Sequence, residues 1–227
     1  MARKDSKSRI YFSDPARFAD LINGFCFDGE QIVKAEDVSD ADARSSDRVR
    51  DVVRKVAFGM EFVIIGIENQ EMVDYSMPIR IMESDLSDYK RQTNQIKKET
   101  KKKLDEKDKM TAGFEAGERL YRFPRNARIY PVVTLILSNA DTWDGPKSLN
   151  DLLNLSDVPK KLQKYISDYK LHVIELPKLT AEDTEKFRSD LREVLDVLRS
   201  YRDKEKFKRE LSQNERMRTL QADAYEY

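Results

Sequence analysis

The chain is predicted to be an α/β protein with a mixed sheet, on three observations. The run Phe62–Ile67 contains no polar residue, and Ile129–Leu137 is nearly as apolar, which marks strands buried on both faces. Stripes at helical spacing stand on either side of these runs. The resulting order, α-β-β-α-β-α-β-α, requires a sheet flanked by helices and ends in a long C-terminal helix.

Each element has its own local reason. Ser13-Asp14-Pro15 opens the first helix, since proline in the first turn gives up only an N–H that is unpaired there anyway. Phe18, Leu21, Ile22, Phe25 and Cys26 follow as one buried stripe, and Asp28-Gly29 ends the helix. Ala35–Asp47 is polar, acidic and aperiodic, and reads as a loop. Valine-rich Val49–Ala57 reads as a strand, Phe58-Gly59-Met60 as a turn and Phe62–Ile67 as the central strand. From Pro78 the spacing of Met82, Leu86, Tyr89, Thr93 and Ile96 is helical, with Lys97–Lys103 either a basic extension or a loop. Ala112-Gly113 to Gly117 is a break. Pro131 sits near the start of the Ile129–Leu137 strand, where a missing N–H costs least. Trp143-Asp144-Gly145-Pro146 is a turn, with Trp143 plugging the edge of the core. Ser148 and Asp151 resemble a capping box. Lys170–Leu176 is the fourth strand, in which His172 reads as a core residue, and Tyr89 and Tyr169 are also expected in the core. Thr180 and Asp183 open the final helix, whose buried stripe is Phe187, Leu191, Val194, Leu198 and Tyr201. The expected organisation is one domain over residues 1–202 and a charged, solvated helical tail over 203–227.

Composition narrows the chemistry. Of 227 residues, 37% are charged, well above the roughly 25% of an average domain. Lys plus Arg and Asp plus Glu are 42 each, so bulk charge does not hold this chain to nucleic acid, although a local basic patch could. With one cysteine (Cys26) and one histidine (His172), a four-ligand zinc site, a disulfide framework and a conventional Cys/His or Ser/His/Asp engine are excluded. A metal here has to be a hard cation on oxygen ligands. Glycine-rich nucleotide cradles are missing. The apolar runs fall far short of the roughly 20 residues that span a bilayer, and the charged start is unlike a signal peptide, so a cytoplasmic protein is expected.

One constellation suggests chemistry. The central strand ends in Glu68-Asn69-Gln70, and alternation puts Glu68 and Gln70 on one face. A hairpin centred on Gly59 places Asp51 opposite Ile67, level with Glu68 and next to it across the ladder. Two carboxylates that close repel unless a cation sits between them, and such a pair suits Mg²⁺. The pattern D-x16-E-x-Q on a hairpin then becomes a phosphodiester-cleaving geometry. A solvated charge pair at a strand end is the competing interpretation.

The chain also carries an ordered set of motifs: Arg17-Phe18-Ala19-Asp20-Leu21-Ile22-Asn23, Asp28-Gly29-Glu30-Gln31, Arg50-Asp51-Val52, Ile65-Gly66-Ile67-Glu68-Asn69-Gln70, Met77-Pro78 and Trp143-Asp144-Gly145-Pro146-Lys147-Ser148-Leu149. Together they resemble the Rpn/YhgA-like family of recombination-promoting nucleases, also labelled transposases, in the PD-(D/E)XK nuclease superfamily, from about Asp5 to Glu215. The resemblance implies a restriction-endonuclease-like core of helix, three-stranded antiparallel meander, helix and further strand. It implies that Asp51 takes the strand-two aspartate's place and Glu68 that of the acidic residue in (D/E)-x-K, both binding Mg²⁺ (or Mn²⁺). Gln70 stands where the lysine usually stands; glutamine can position a water but carries no positive charge. Asp20 is a candidate for the first-helix carboxylate of some of these nucleases, and equally a solvated charge away from the apolar stripe. Lys97, Lys98, Lys101, Lys102 and Lys103 become candidates for contacting DNA phosphates. The implied activity is Mg²⁺-dependent hydrolysis of DNA, linked to recombination or mobile elements, with DNA as partner, no membrane, and a homodimer left open. The alternative is a nuclease-fold protein with little or no catalysis that binds DNA or protein. A helical interaction module built on the final helix is a third option.

Overall fold

The structure, a computed structural model, describes residues 10–41, 51–105, 113–201 and 203–216. Five strands form one mixed sheet: β1 (Val38–Asp40), β2 (Val52–Phe58), β3 (Glu61–Gln70), β4 (Val132–Ser138) and β5 (His172–Glu175), side by side in chain order. β1, β2 and β3 make an antiparallel meander, while β4 and β5 run parallel to β3. The apolar run does lie on the central strand. β1 falls in the stretch expected to be a loop, part of which lies outside the described residues. Three residues are too few to show alternation, and only Val38, paired with Val56, turns inward.

The helices flank the sheet: α1 (Pro15–Cys26), α2 (Met77–Asp105), α3 (Ala116–Tyr121), α4 (Leu191–Ser200) and α5 (Lys204–Gln213). Asp14 caps α1 through a 2.8 Å bond from Ala16 N–H, and Pro15 occupies the first turn, as the local sequence requires. On one face α1 and α4 pack their apolar residues, among them Phe18, Leu21, Ile22, Leu191, Val194 and Leu195, on Val52, Val56, Ile65, Ile67, Leu135 and Leu137. Cys26, assigned to that stripe, is exposed, because α1 ends there. On the other face α2 covers a smaller cluster of Met77, Ile81, Ile136 and Trp143. Trp143 is buried as expected, its indole N–H donating to Pro146 O. His172 is exposed rather than core, since its strand is the sheet's edge.

The long C-terminal helix is broken. The Thr180/Asp183 box forms, but its helix stops at Thr184 after one turn. The reason lies on α1: the Asp20 carboxylate accepts from Arg188 N–H, Ser189 N–H and Ser189 Oγ, and Arg17 with Tyr11 holds Asp190. Backbone groups held by another helix cannot continue their own. Tyr201, past the break, is half out in solvent. α5 touches α4, and Arg216 pairs with Glu193 at 3.6 Å, while most described residues of the tail are exposed; residue 202 and residues 217–227 lie outside the described set. Among the described residues no helix is long and apolar enough to cross a membrane.

The break drops Phe187 onto Gly24, where an added Cβ would lie 2.1 Å from Phe187 Cε1. In an open helix Gly→Ala gains about 1 kcal/mol. Here the buried ring already packs edge-on against Phe25, so making room for a methyl group disturbs that contact. Gly24→Ala is therefore expected to destabilise the protein by about 1–3 kcal/mol, read as a lower urea midpoint at unchanged slope.

Candidate functional site

The β2–β3 turn sets the register at the site. Its two central residues are Gly59, at φ +64°, and Met60, so Phe58 pairs with Glu61 and Val52 with Ile67. The hairpin centre lies half a residue beyond Gly59, so Val52 rather than Asp51 pairs with Ile67, and Asp51 stands just before β2. The Asp51 carboxylate is near enough to that of Glu68 for the two charges to act on one another. Asp51 N–H donates to Ile67 O at 3.0 Å, and its Oδ2 accepts from Asn69 N–H at 2.8 Å.

Glu68 is 4% exposed. Its parallel neighbour on β4 is Ile136, a member of the apolar cluster under α2. Gln70 Nε2 donates to Glu68 Oε1 at 2.9 Å, as their shared face predicts. Arg80, in the first turn of α2, donates to the same oxygen at 2.6 Å and to Asp74 Oδ2 at 2.6 Å. Glu68 Oε2 is buried without a hydrogen-bond partner among the described residues. Burial first, and the charge of Asp51 second, push the Glu68 carboxyl up to about 7 against the opposing pull of Arg80 and Gln70.

Arg80 and Asp74 were not singled out in the sequence. The six residues 71–76 return the chain over the end of β3, which places the first turn of α2 above Glu68. Asp74 accepts from Ser76 N–H and Oγ, and Tyr75 OH donates to Asp144 at 3.0 Å. Gly145 lets the turn approach, since a Cβ there would lie 2.5 Å from Val73 Cγ1. The Trp143–Pro146 turn thus braces the loop that carries Asp74 and, through it, Arg80.

α2 itself is rotated from the expected phase. Met77, Ile81, Ser84, Asp85 and Asp88 face inward, whereas Leu86 is exposed and Met82, Tyr89, Thr93 and Ile96 are only half-buried. Polar complementarity overrides the apolar stripe: Thr134 Oγ1 donates to Asp85 Oδ1 at 2.6 Å, and Tyr169 OH donates to Asp85 Oδ2. Tyr89 OH accepts from Val132 N–H at 3.1 Å.

The other candidates stand apart from the pair. Asp20 is 5% exposed, not solvated, and its carboxylate is spent on the Arg188–Ser189 backbone. It acts as a clamp. Lys97, Lys98, Lys101, Lys102 and Lys103 are exposed on the far half of α2, which stays helical to Asp105. At 1.5 Å per residue they lie about 25–35 Å along the axis from Arg80.

Two carboxylates, one with an unpartnered buried oxygen, fit a hard divalent cation that keeps most of its waters. Among the described residues no group of three histidine, cysteine or carboxylate side chains is placed to hold a metal, so the pair would hold it alone. Comparison of the chain with protein families, with curated proteins and with solved structures gives no match.

Without metal, the raised Glu68 pKa destabilises the fold at neutral pH. Relative to 4.5, the protonated form is favoured on folding, so stability present below pH 4.5 falls as pH rises through about 7. Glu68→Gln removes that loss. In EDTA its stability advantage over wild type is expected to grow between pH 4.5 and 7.5, towards the order of 3 kcal/mol, in urea unfolding at each pH.

Proposed function

We propose that this protein is a Mg²⁺-dependent DNA endonuclease on a restriction-endonuclease-like core. The observation that carries the reading is the buried, unpartnered Oε2 of Glu68 on a carboxylate near enough to Asp51 for their charges to repel. The order α1, meander, α2, β4 is the one implied by the resemblance to the Rpn/YhgA-like nucleases, and supports it.

A divalent cation at the pair would supply a water of lowered pKa and offset charge on the phosphate. The rest of the work falls to this chain's own groups. Asn69 N–H fixes one oxygen of Asp51, and Gln70 with Arg80 fixes one oxygen of Glu68, whose other oxygen would then be the one to hold a cation. Gln70 can orient a water but brings no charge. The span from Arg80 to the lysines, about 25–35 Å, is about one turn of duplex DNA, so a duplex lying along α2 would meet both ends. Lys103 shares a cleft there with Arg125 and Arg128.

A second reading has an observation of its own. Arg80 already neutralises Glu68, as it would in a nuclease-fold protein that binds DNA or protein without cutting. Plasmid nicking in Mg²⁺ and in EDTA separates the two. Nicking that needs the metal supports the endonuclease; DNA binding with no nicking in Mg²⁺ or Mn²⁺ overturns it.

Asp51→Asn and Glu68→Gln are each expected to abolish nicking while the protein stays folded, because neither carboxylate can hold the ion alone. Glu68→Gln nicking at the wild-type rate would sink the assignment. For the lysines, replacing Lys97, Lys98, Lys101, Lys102 and Lys103 by Gln is expected to weaken DNA binding and flatten its salt dependence. Each lost phosphate contact removes about 0.9 from the log–log slope, whereas an unchanged slope would leave the run as a solvated face.

A further inference from the structure

The two oxygens of Glu68 keep different company. Oε1 accepts from Arg80 Nη2 and Gln70 Nε2, so positions 70 and 80 converge on one atom, while Oε2 is left over. The Arg80 side chain is 35% exposed where that of Glu68 is 6%, so an anion arriving from solvent meets the guanidinium first. Of its five N–H donors, one goes to Glu68 and one to Asp74. Asp74 is itself fixed by Ser76, so the planar group is held in place before any ligand arrives. It also lies in the first turn of α2, where the helix dipole favours an anion.

We propose that Arg80 is the phosphate-binding cation of this site. It stays on Glu68 Oε1, leaves Oε2 and Asp51 to the divalent ion, and turns its remaining donors to the non-bridging oxygens of the scissile phosphodiester. It thereby supplies the positive charge that glutamine at position 70 cannot. The proposal rests on the endonuclease reading and adds to it the group that binds the substrate. In the hydrolysis, a water oxygen bonds to phosphorus while the bond to the leaving sugar oxygen breaks. The water's proton passes to solvent and the leaving oxygen takes up a proton, while charge grows on the oxygens that Arg80 faces. Guanidinium suits that task because its fork matches two phosphate oxygens.

The test compares full-length wild type, Arg80→Met, Arg80→Lys and Arg80→Met/Gln70→Lys. It reads nicking at saturating Mn²⁺, Mn²⁺ affinity by calorimetry without DNA, and melting temperature. Arg80→Met is expected to nick at least about 100-fold more slowly, the scale of losing a donor aimed at transition-state charge, with Mn²⁺ affinity within about tenfold of wild type. Adding Gln70→Lys is expected to recover at least about tenfold of the lost rate, because that lysine reaches the oxygen on which Arg80 sat. Arg80→Lys keeps the charge without the fork; it is the variant to read if methionine prevents folding, with an expected loss in kcat rather than in Mn²⁺ binding. Nicking by Arg80→Met within threefold of wild type overturns the role. So does joint loss of Mn²⁺ binding and nicking without rescue by the lysine, which would make Arg80 only a support for Glu68. A wild type that binds Mn²⁺ at the pair yet never nicks overturns the endonuclease reading, and this proposal with it.

Discussion

Glu68 lies near the end of a strand buried on both faces, beside the apolar side chain of Ile136 and under the repulsion of a second carboxylate, Asp51. Leaving water in such a place costs an ionised carboxylate several kcal/mol unless other groups replace the lost solvent. Much of this end of the molecule supplies the replacement. Arg80 and Gln70 bond one oxygen; Asp74 holds Arg80; Ser76 holds Asp74; and the Trp143–Pro146 turn holds the loop on which they stand. The second oxygen is outside this arrangement, and the proposed chemistry follows from that asymmetry.

The two faces of the sheet divide the labour. The face under α1 and α4 is apolar and well filled, and hydrophobic burial there is the main source of stability. The face under α2 is partly polar: Asp85 bonded to Thr134 and Tyr169, Glu68 bonded to Arg80. Buried polar groups of this kind add little net stability but fix position, because each depends on one geometry. Burial lifts the Asp85 carboxyl above its usual range, opposed by the bonds from Thr134 and Tyr169 and by the nearby His172.

The Asp20 clamp shows the same physics in structural use. A buried carboxylate on α1 takes two backbone N–H groups and a hydroxyl from the 188–189 segment, and the chain gives up a continuous helix there. In return Phe187 reaches Gly24 and Asp190 meets Arg17, which joins the C-terminal helices to α1. Asp20 and Glu68 are both buried acids, yet both oxygens of Asp20 accept bonds from backbone N–H groups or a hydroxyl, whereas Glu68 leaves an oxygen unspent.

Local pattern was enough to find the elements whose burial is uniform. Phe62–Ile67 as the central strand, the starts at Asp14-Pro15 and Thr180/Asp183, the turn at Gly59 and the buried Trp143 all depend on residues near one another in the chain. So does the pairing of Glu68 with Gln70, which needs only alternation. Local pattern did not find α2's phase, the break before α4, the engagement of Asp20 or the arrival of Arg80 on Glu68. In each of these a polar side chain is buried because its partner comes from 12 or more residues away: Asp85 with Thr134, Asp20 with Ser189, Arg80 with Glu68. Hydrophobic periodicity scores such residues as surface, since a polar group alone belongs in water. The one-residue shift that paired Val52 rather than Asp51 with Ile67 was likewise decided by a two-residue turn whose length only the paired strands reveal. By itself the sequence determined the central strands, the helix starts and where two carboxylates could meet. The tertiary structure decided which charges are buried and which groups answer them, because desolvation and pairing depend on neighbours that the chain order does not place together.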